Sequence, residues 1–364
     1  MNRTVASPIA GQRPSSLLIE AAGLCCSLGY QLDAAVCAIR ANMDHFQESG
    51  FYSLASEPLN VATLPDDIFG QERLQRWIEY AIRDCAQHMV EPHSLFDAKR
   101  TALIVLAPDQ SRPHANEQFY SELVVAAMKQ FSDTSEHEQP TADHYNITVL
   151  QHGRAGLAPA LLQTARHLVN QVVEQVLLIG VDSYLNAADI NHYLQEKRLF
   201  IPDNSNGFLP GEAACALLLR PALASAAGLH IKGVGIAQER GRPDGSVPSR
   251  AQGLSEAIRA ACAQAKIDPA ELDFRLSDQN GEQFFSREAA NAVSRVMFGA
   301  HKLTHLTLAD KIGEVGAATG PAMLAWLMRD MGHPELSPGN TGLVHLANDD
   351  GSRCAVVLHH QGEQ

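Results

Sequence analysis

The segment QHGRAG (Gln151–Gly156) places Arg154 at the head of an apolar helix, where a chain built in this way would carry a nucleophile. Leu157, Leu161, Leu162, Ala165, Leu168 and Val169 recur behind it at helical spacing, and Gly153 and Gly156 bracket the start. A cysteine at that point would be acidified by the helix N-terminus. A guanidinium meets the same partial positive charge and is repelled by it. Arg154 therefore has three readings: a receptor for a ligand carboxylate or phosphate, a structural plug paired with an internal carboxylate, or a residue left on the surface. His152, two residues earlier, reads either as a general base or as a turn histidine bonded to backbone.

These residues need a frame. Leu17–Gly29 reads as a strand and turn, followed by a helix through QLDAAVCAIRANM. Residues 58–67 read as loop, 72–90 as an amphipathic helix, 101–107 as a buried strand and 116–131 as helix. The polar, Pro-interrupted run 132–143 reads as a mobile surface loop. Ile147–Leu150 and Val176–Tyr184 are strands on either side of the Arg154 helix, a loop follows, and NGFLPGEAACALLL (Asn206–Leu219) leads into another strand. A second series follows from Leu229: strand HIKGVGIAQ, helix 254–265, a turn capped by Asp268-Pro269, strand LDFRLSD, helix 286–298, helix 321–331, and two closing strands, GLVHLAN and RCAVVLHH. Alternating strands and helices in both series give an α/β fold.

Three segments in order, VLLIGVDSY (Val176–Tyr184), NGFLPGEAACALLL and KIGEVGAATGPA (Lys311–Ala322), resemble the thiolase-fold β-ketoacyl-(acyl-carrier-protein) synthases over most of the chain. They correspond to the strand after the nucleophile, the "DGF-x-x-GE-x-A" strand and the "K-x-x-x-GH-x-x-GA-A-G" loop. The resemblance implies a five-layer αβαβα architecture of two pseudo-symmetric halves, residues 15–225 and 226–364, after a flexible leader over residues 1–14. It further implies a dimer formed through the strand that follows the nucleophile helix, and a frame that looks short for the family.

Counting back from Asp182 puts the family's cysteine at Arg154. The first catalytic histidine falls within LSDQNGEQ (Leu276–Gln283), near Asp278 or Asn280, and the second falls at Gly313-Glu314. The gating loop becomes ANDDGSR (Ala347–Arg353). Cys-His-His thus reads as Arg154, Asp278 or Asn280, and Glu314, with no catalytic group retained. An unpaired buried guanidinium costs several kcal/mol and cannot deprotonate to escape. The plug reading therefore requires a partner, and Glu314 is the natural one, with Asp278, Glu282 or Glu212 as the others. Glu212 also stands where the family keeps a structural, hydrogen-bonded carboxylate. Asp182 and Ser183 read as organisers of a dimer-side loop, and Gly313, Gly316 and Gly320 as sites of tight backbone approach.

The bulk numbers exclude several classes. A chain of 364 residues, 45% hydrophobic, can bury a large core. A net charge of −13 disfavours nucleic acid or an anionic membrane as partner. The sequence has no apolar run long enough to span a bilayer and no signal-peptide pattern at its start. Seven cysteines without a C-x-x-C pair read as free, core-facing thiols in a reducing compartment, the cytoplasm. His137, His144, His359 and His360 lack the spacing of a designed metal site, and no cofactor is expected. Condensation needs a thiolate and two imidazoles, so the expected function is non-catalytic. The first reading is a protein-binding adaptor or chaperone, since orphan ketosynthase-like proteins of this degenerate type resemble those beside type VI secretion effector genes. The second is a chain-length-factor-like partner of an active ketosynthase. Residual acyltransferase or decarboxylase activity is the third.

Overall fold

The continuous apolar runs of the chain become central strands, because strands covered by helices on both faces have no solvent side to leave polar. The computed structural model describes residues 16–65, 68, 70–113, 116–131, 145–223, 225–297 and 303–362. The expected leader over residues 1–14 and the expected loop over 132–143, with His137 and His144, lie outside the described residues.

In the first half, β1 (Leu17–Cys26), β4 (Thr101–Leu106), β5 (Ile147–Leu150), β6 (Gln175–Ser183) and β7 (Glu212–Pro221) run in the order β1-β7-β6-β4-β5. In the second, β8 (Gly228–Gln238), β9 (Phe274–Ser277), β10 (Thr304–Thr307), β11 (Thr341–Ala347) and β12 (Ser352–Gln361) run β8-β12-β11-β9-β10. The two orders are the same pattern. In each, the first strand is antiparallel to the last, the last is antiparallel to the fourth, and the remaining neighbours are parallel. Leu17–Ile19 of β1 pairs with Leu229–Ile231 of β8, which joins the two sheets edge to edge.

The helices complete five layers. α4 (Leu157–Val169) and α9 (Thr319–Met331) lie between the sheets, and their side chains share one core with both. α2 (Gly70–Gln87) and α3 (Glu117–Lys129) cover the outer face of the first sheet around Trp77, Ile78, Leu103 and Val105. α6 (Gln252–Ala265) and α7 (Gln283–Val296) cover the outer face of the second. The short helices α1 (Leu32–Arg40) and α8 (Ala309–Ile312) lie in connections. Among the described residues no helix is long and apolar enough to cross a membrane.

Four expectations need correction. The stretch from residue 58 is not all loop: β3 (Pro58–Ala62) pairs antiparallel with β2 (Phe46–Tyr52) as a separate two-stranded sheet. The segment after β6 contains a helix, α5 (Ala187–Gln195), whose N-terminus is capped by the Asn186 side chain accepting from the Asp189 N–H. Cys37 is exposed rather than core-facing. It lies off the stripe Leu32, Ala35, Val36 and Ile39 that α1 buries. Finally, β6 follows the Arg154 helix but is paired on both sides, to β4 and to β7, so it has no free edge to offer a second chain. Among the described residues the edge strand of the first half is β5, which precedes that helix, as β10 is of the second. Leu103 N–H donates to Asn146 O and Ala107 N–H to Leu150 O. In a parallel ladder this turns residues 146, 148 and 150 towards β4 and leaves the N–H and C=O of Ile147 and Val149 facing outward.

Candidate functional site

At the end of β5 the chain turns on Gly153 (φ 51°), enters a 3-10 turn over Arg154–Gly156 and continues as α4. The pseudo-symmetric approach to α9 turns on Gly313 (φ 73°) and passes through a 3-10 turn over Gly316–Ala318. Arg154 and Glu314 stand on these two approaches, 160 residues apart in sequence. Arg154 Nη1 donates to Glu314 Oε2 at 2.8 Å, with both side chains buried. Arg154 Nε lies 3.6 Å from Asp278 and Nη2 3.8 Å from Asp349, and the guanidinium stacks 4.7 Å over the Phe285 ring.

Glu314 is held from its other sides. Asn280 Nδ2 donates to its Oε2 at 2.6 Å, and the Gly316 N–H donates to its Oε1 at 2.9 Å. Its backbone is pinned between Leu209 O and the Gly211 N–H. Gly316 has no alternative at this position: a Cβ there would lie 1.9 Å from Asp182 Oδ2. Asp278 accepts from the Ala347 N–H at 2.7 Å, tying the end of β9 to the end of β11, where the next loop begins. In that loop the Asn348 side chain accepts from the Ala155 N–H at 3.1 Å and donates to the His152 carbonyl, closing the loop over the start of the helix.

A second guanidinium, Arg198, forms two-pronged bonds to Glu282 (2.7 and 3.0 Å) and to Asp349 (2.6 and 3.1 Å). On the far side of Arg154, Arg112 lies on Asp182 and on Asp189, each at 2.6 Å, and 3.8 Å over Tyr184. What remains between Arg112, Arg154, Asp182, Tyr184, Tyr193 and Asp349 is a cavity of about 30 Å³. That volume holds a water but no acyl group, and neither a thiol nor an imidazole lines it.

Two guanidiniums, Arg154 and Arg198, thus face four carboxylates, Asp278, Glu282, Glu314 and Asp349. Burial pushes the Asp278 carboxyl up to about 6, although Arg154 and the Ala347 N–H pull the other way. Asp182 is pushed up to about 6 by burial against the pull of Arg112. Burial would raise Asp349 as well, but Arg198 holds it below the usual range. Burial works against the charge of Arg154, and Glu314, Asp278 and Asp349 more than restore it.

The sign of the pH effect follows from these shifts. The folded state binds protons at Asp278 and Asp182 more tightly than the unfolded chain, whose carboxyls titrate near 3.8. Their stabilising contribution is complete below about pH 4 and is lost as the pH rises through 6. Asp349 acts in the opposite sense, below pH 4. His305 and His345, lowered by burial to about 4 and about 3, act in the opposite sense over this range, so the carboxyls are read by difference: between pH 4 and 7 the urea stability of the unaltered protein should fall relative to that of Asp278→Asn and of Asp182→Asn. An unchanged slope in both variants would contradict the assignment.

The other expected site residues lie elsewhere. The His152 imidazole is exposed, and the residue reaches the site through its carbonyl alone among the bonds described. Glu212 accepts from Arg73 Nε at 2.8 Å and from Ser183 Oγ at 3.1 Å, away from Arg154. It lies in the wall of an open cleft of about 990 Å³ between the β2–β3 hairpin and the starts of α2 and α3. Arg112 lines both spaces and separates them. Glu282 is nearby but pairs with Arg198 rather than Arg154. Arg112, Arg198, Asp189 and Phe285 carry no local sequence signal, and Asp349 was visible only as a member of the substituted loop. No metal-binding cluster of His, Cys, Asp and Glu occurs among the described residues.

No protein-family model and no curated protein sequence matches the chain. Solved structures do. A chain of the complex between the ketosynthase ApeO and its chain length factor ApeC from Xenorhabdus doucetiae is 16% identical, with 95% of this chain and 98% of that one aligned at a TM-score of 0.71. The ishigamide ketosynthase/chain length factor is 14% identical over 95% of this chain and 99% of its own, at 0.71. The ketosynthase from module 6 of the bacillaene synthase of Bacillus subtilis 168 is 14% identical over 96% of this chain and 72% of its own, at 0.72. Against the first two the expected shortening of the frame is absent. The chain has the thiolase-like fold shared by ketosynthases and chain length factors.

Proposed function

We propose that this chain is a catalytically silent thiolase-fold protein that acts by associating with another protein, and that the partner is an active β-ketoacyl synthase, as for a chain length factor. In this reading Arg154, the Asp278–Asn280 segment and Glu314 stand in the three positions of the family's catalytic residues, and residues 15–225 and 226–364 are its two halves. The observation that carries the proposal is the buried Arg154–Glu314 ion pair, at the two positions to which the resemblance assigns the nucleophile and the second histidine. A guanidinium that is permanently charged and committed to carboxylates offers no nucleophile, and acyl transfer by this route needs one. The outward N–H and C=O groups of Ile147 and Val149 supply an edge on which a partner strand can add. That the chain aligns with nearly the full length of proteins described as ketosynthase and chain length factor complexes supports the choice of partner.

Affinity purification of the tagged full chain from its own host, followed by mass spectrometry, tests the proposal. A ketosynthase recovered in about equal amount is the expected result. Recovery of a secretion effector instead would establish the adaptor reading, and recovery of the chain alone would overturn both.

The thiols of Cys25, Cys26, Cys85, Cys215, Cys262 and Cys354 are buried, and burial raises the pKa of each. Treatment of the native protein with iodoacetamide or a cerulenin-type electrophile should give one adduct, at exposed Cys37. Such free thiols fit a cytoplasmic setting. An acyl adduct elsewhere after incubation with an acyl thioester would restore the enzyme reading.

A further inference from the structure

The buried or half-buried guanidiniums of Arg73, Arg112, Arg154, Arg198 and Arg353 each rest on a carboxylate. Arg275 does not. It projects from β9 towards the outer layer of the second half, half-buried, and burial alone lowers it to about 10. Its one described hydrogen bond runs from Nη1 to the Nε2 of His345, at 3.3 Å. Among the described residues no carboxylate approaches it. A guanidinium stays charged at any physiological pH, and its burial without an anion is costly.

We propose that Arg275 and His305, with Ser277 positioning the imidazole from beneath, form a binding site for a phosphate-type oxyanion. The strand register supports the geometry. Arg275 is level with His305 on β10, and Ser277 with His345 on β11, so all four side chains share one face. The Ser277 hydroxyl is 2.7 Å from His305 Nε2. His345 accepts from Arg275 through Nε2, and burial together with Arg275 lowers it to about 3, so it stays neutral and neutralises nothing. His305 is likewise lowered, to about 4, first by burial and then by Arg275. Asp310, whose charge reaches His305, is already engaged by Thr307 Oγ1 and Lys311 Nζ. The remaining Arg275 N–H groups and one N–H of His305 donate from neighbouring strands, with the buried Ser277 hydroxyl held on His305 Nε2 behind them. Such a convergence suits a tetrahedral anion better than a planar carboxylate. His305 is exposed, so the site opens to solvent on the β10 side.

The test is titration of the full chain with inorganic phosphate at constant ionic strength, with chloride as reference, read by calorimetry and by melting temperature. Saturable binding is expected, weakened at least tenfold in Arg275→Gln and unchanged in Arg259→Gln, an exposed arginine on α6. Glycerol 3-phosphate in a parallel arm distinguishes the sources. Tighter binding than inorganic phosphate identifies the phosphoryl group of a larger molecule, and equal binding identifies the free anion. Because Arg275→Gln could fail to fold, the His305 imidazole is also followed by nitrogen NMR in the unaltered protein. Phosphate should move its titration midpoint upward from about 4. Equal response to phosphate and chloride, equal binding by Arg275→Gln, or an unmoved His305 midpoint would each overturn the proposal.

Discussion

Replacing Arg154 with Met is expected to lower the unfolding free energy by about 3–5 kcal/mol, because it leaves an uncompensated buried charge. Glu314 is 3% exposed and is held in place by Asn280 and the Gly316 N–H, so it cannot turn to water when the guanidinium goes. Asp278, 4% exposed, loses the same cation. Arg154→Lys should recover part of the loss, since one ammonium cannot reach three carboxylates on different strands and loops. Arg166→Met, on the exposed side of the same helix, should change stability by no more than about 0.5 kcal/mol. The midpoint of urea unfolding at constant slope measures all three. A midpoint for Arg154→Met within error of the unaltered protein would show that the guanidinium does not fill the site.

The second large effect concerns the free edge. Val149→Pro is expected to weaken association with the partner at least tenfold while leaving the fold intact. The Val149 N–H faces outward, so the ring removes a donor that β4 does not use. One lost hydrogen bond is worth about 1 kcal/mol, and the pyrrolidine also obstructs an approaching strand. Thr148→Pro is the contrasting variant. The parallel pattern assigns the Thr148 N–H to Leu103 O, so this substitution should break the ladder and destabilise the chain itself. Sedimentation of purified mixtures with the recovered partner separates the two. Undiminished association by a folded Val149→Pro chain would place the interface elsewhere.

The alternating strands and helices were legible because they rest on local periodicity, whereas their arrangement in five layers came through the resemblance. Leu157, Leu161, Leu168 and their neighbours mark α4 by spacing alone, and the apolar run from Thr101 marks β4. The β2–β3 hairpin was missed because β3 opens on a proline and is too short to show alternation. Helix α5 was missed although Asn186 and the triplet Ile190, Tyr193 and Leu194 carry cap and period. The free edge was assigned to β6 because strand order is set by long-range pairing that no local pattern records.

The candidate site divides in the same way. Arg154 and Glu314 could be set side by side only through resemblance to a known fold, since 160 residues separate them. Arg198 meets Glu282 and Asp349 across 84 and 151 residues, and nothing in its own neighbourhood announces either contact. Cys37 was misplaced for a simpler reason: one apolar residue in a helix can sit off the buried stripe, as it does beside Val36.

The claim that Arg154 and Glu314 form one structural unit in place of a reactive centre is tested most directly by a double-mutant cycle. Unfolding free energies of Arg154→Met, Glu314→Leu and the double variant are the required measurements. Removing either partner alone should destabilise strongly, whereas removing both eliminates the unpaired charge, so the double variant should be more stable than Arg154→Met, with coupling of about 2 kcal/mol or more. Additive losses in the double variant would mean that the two side chains act independently, and the account of a plugged acyl-transfer site would fail.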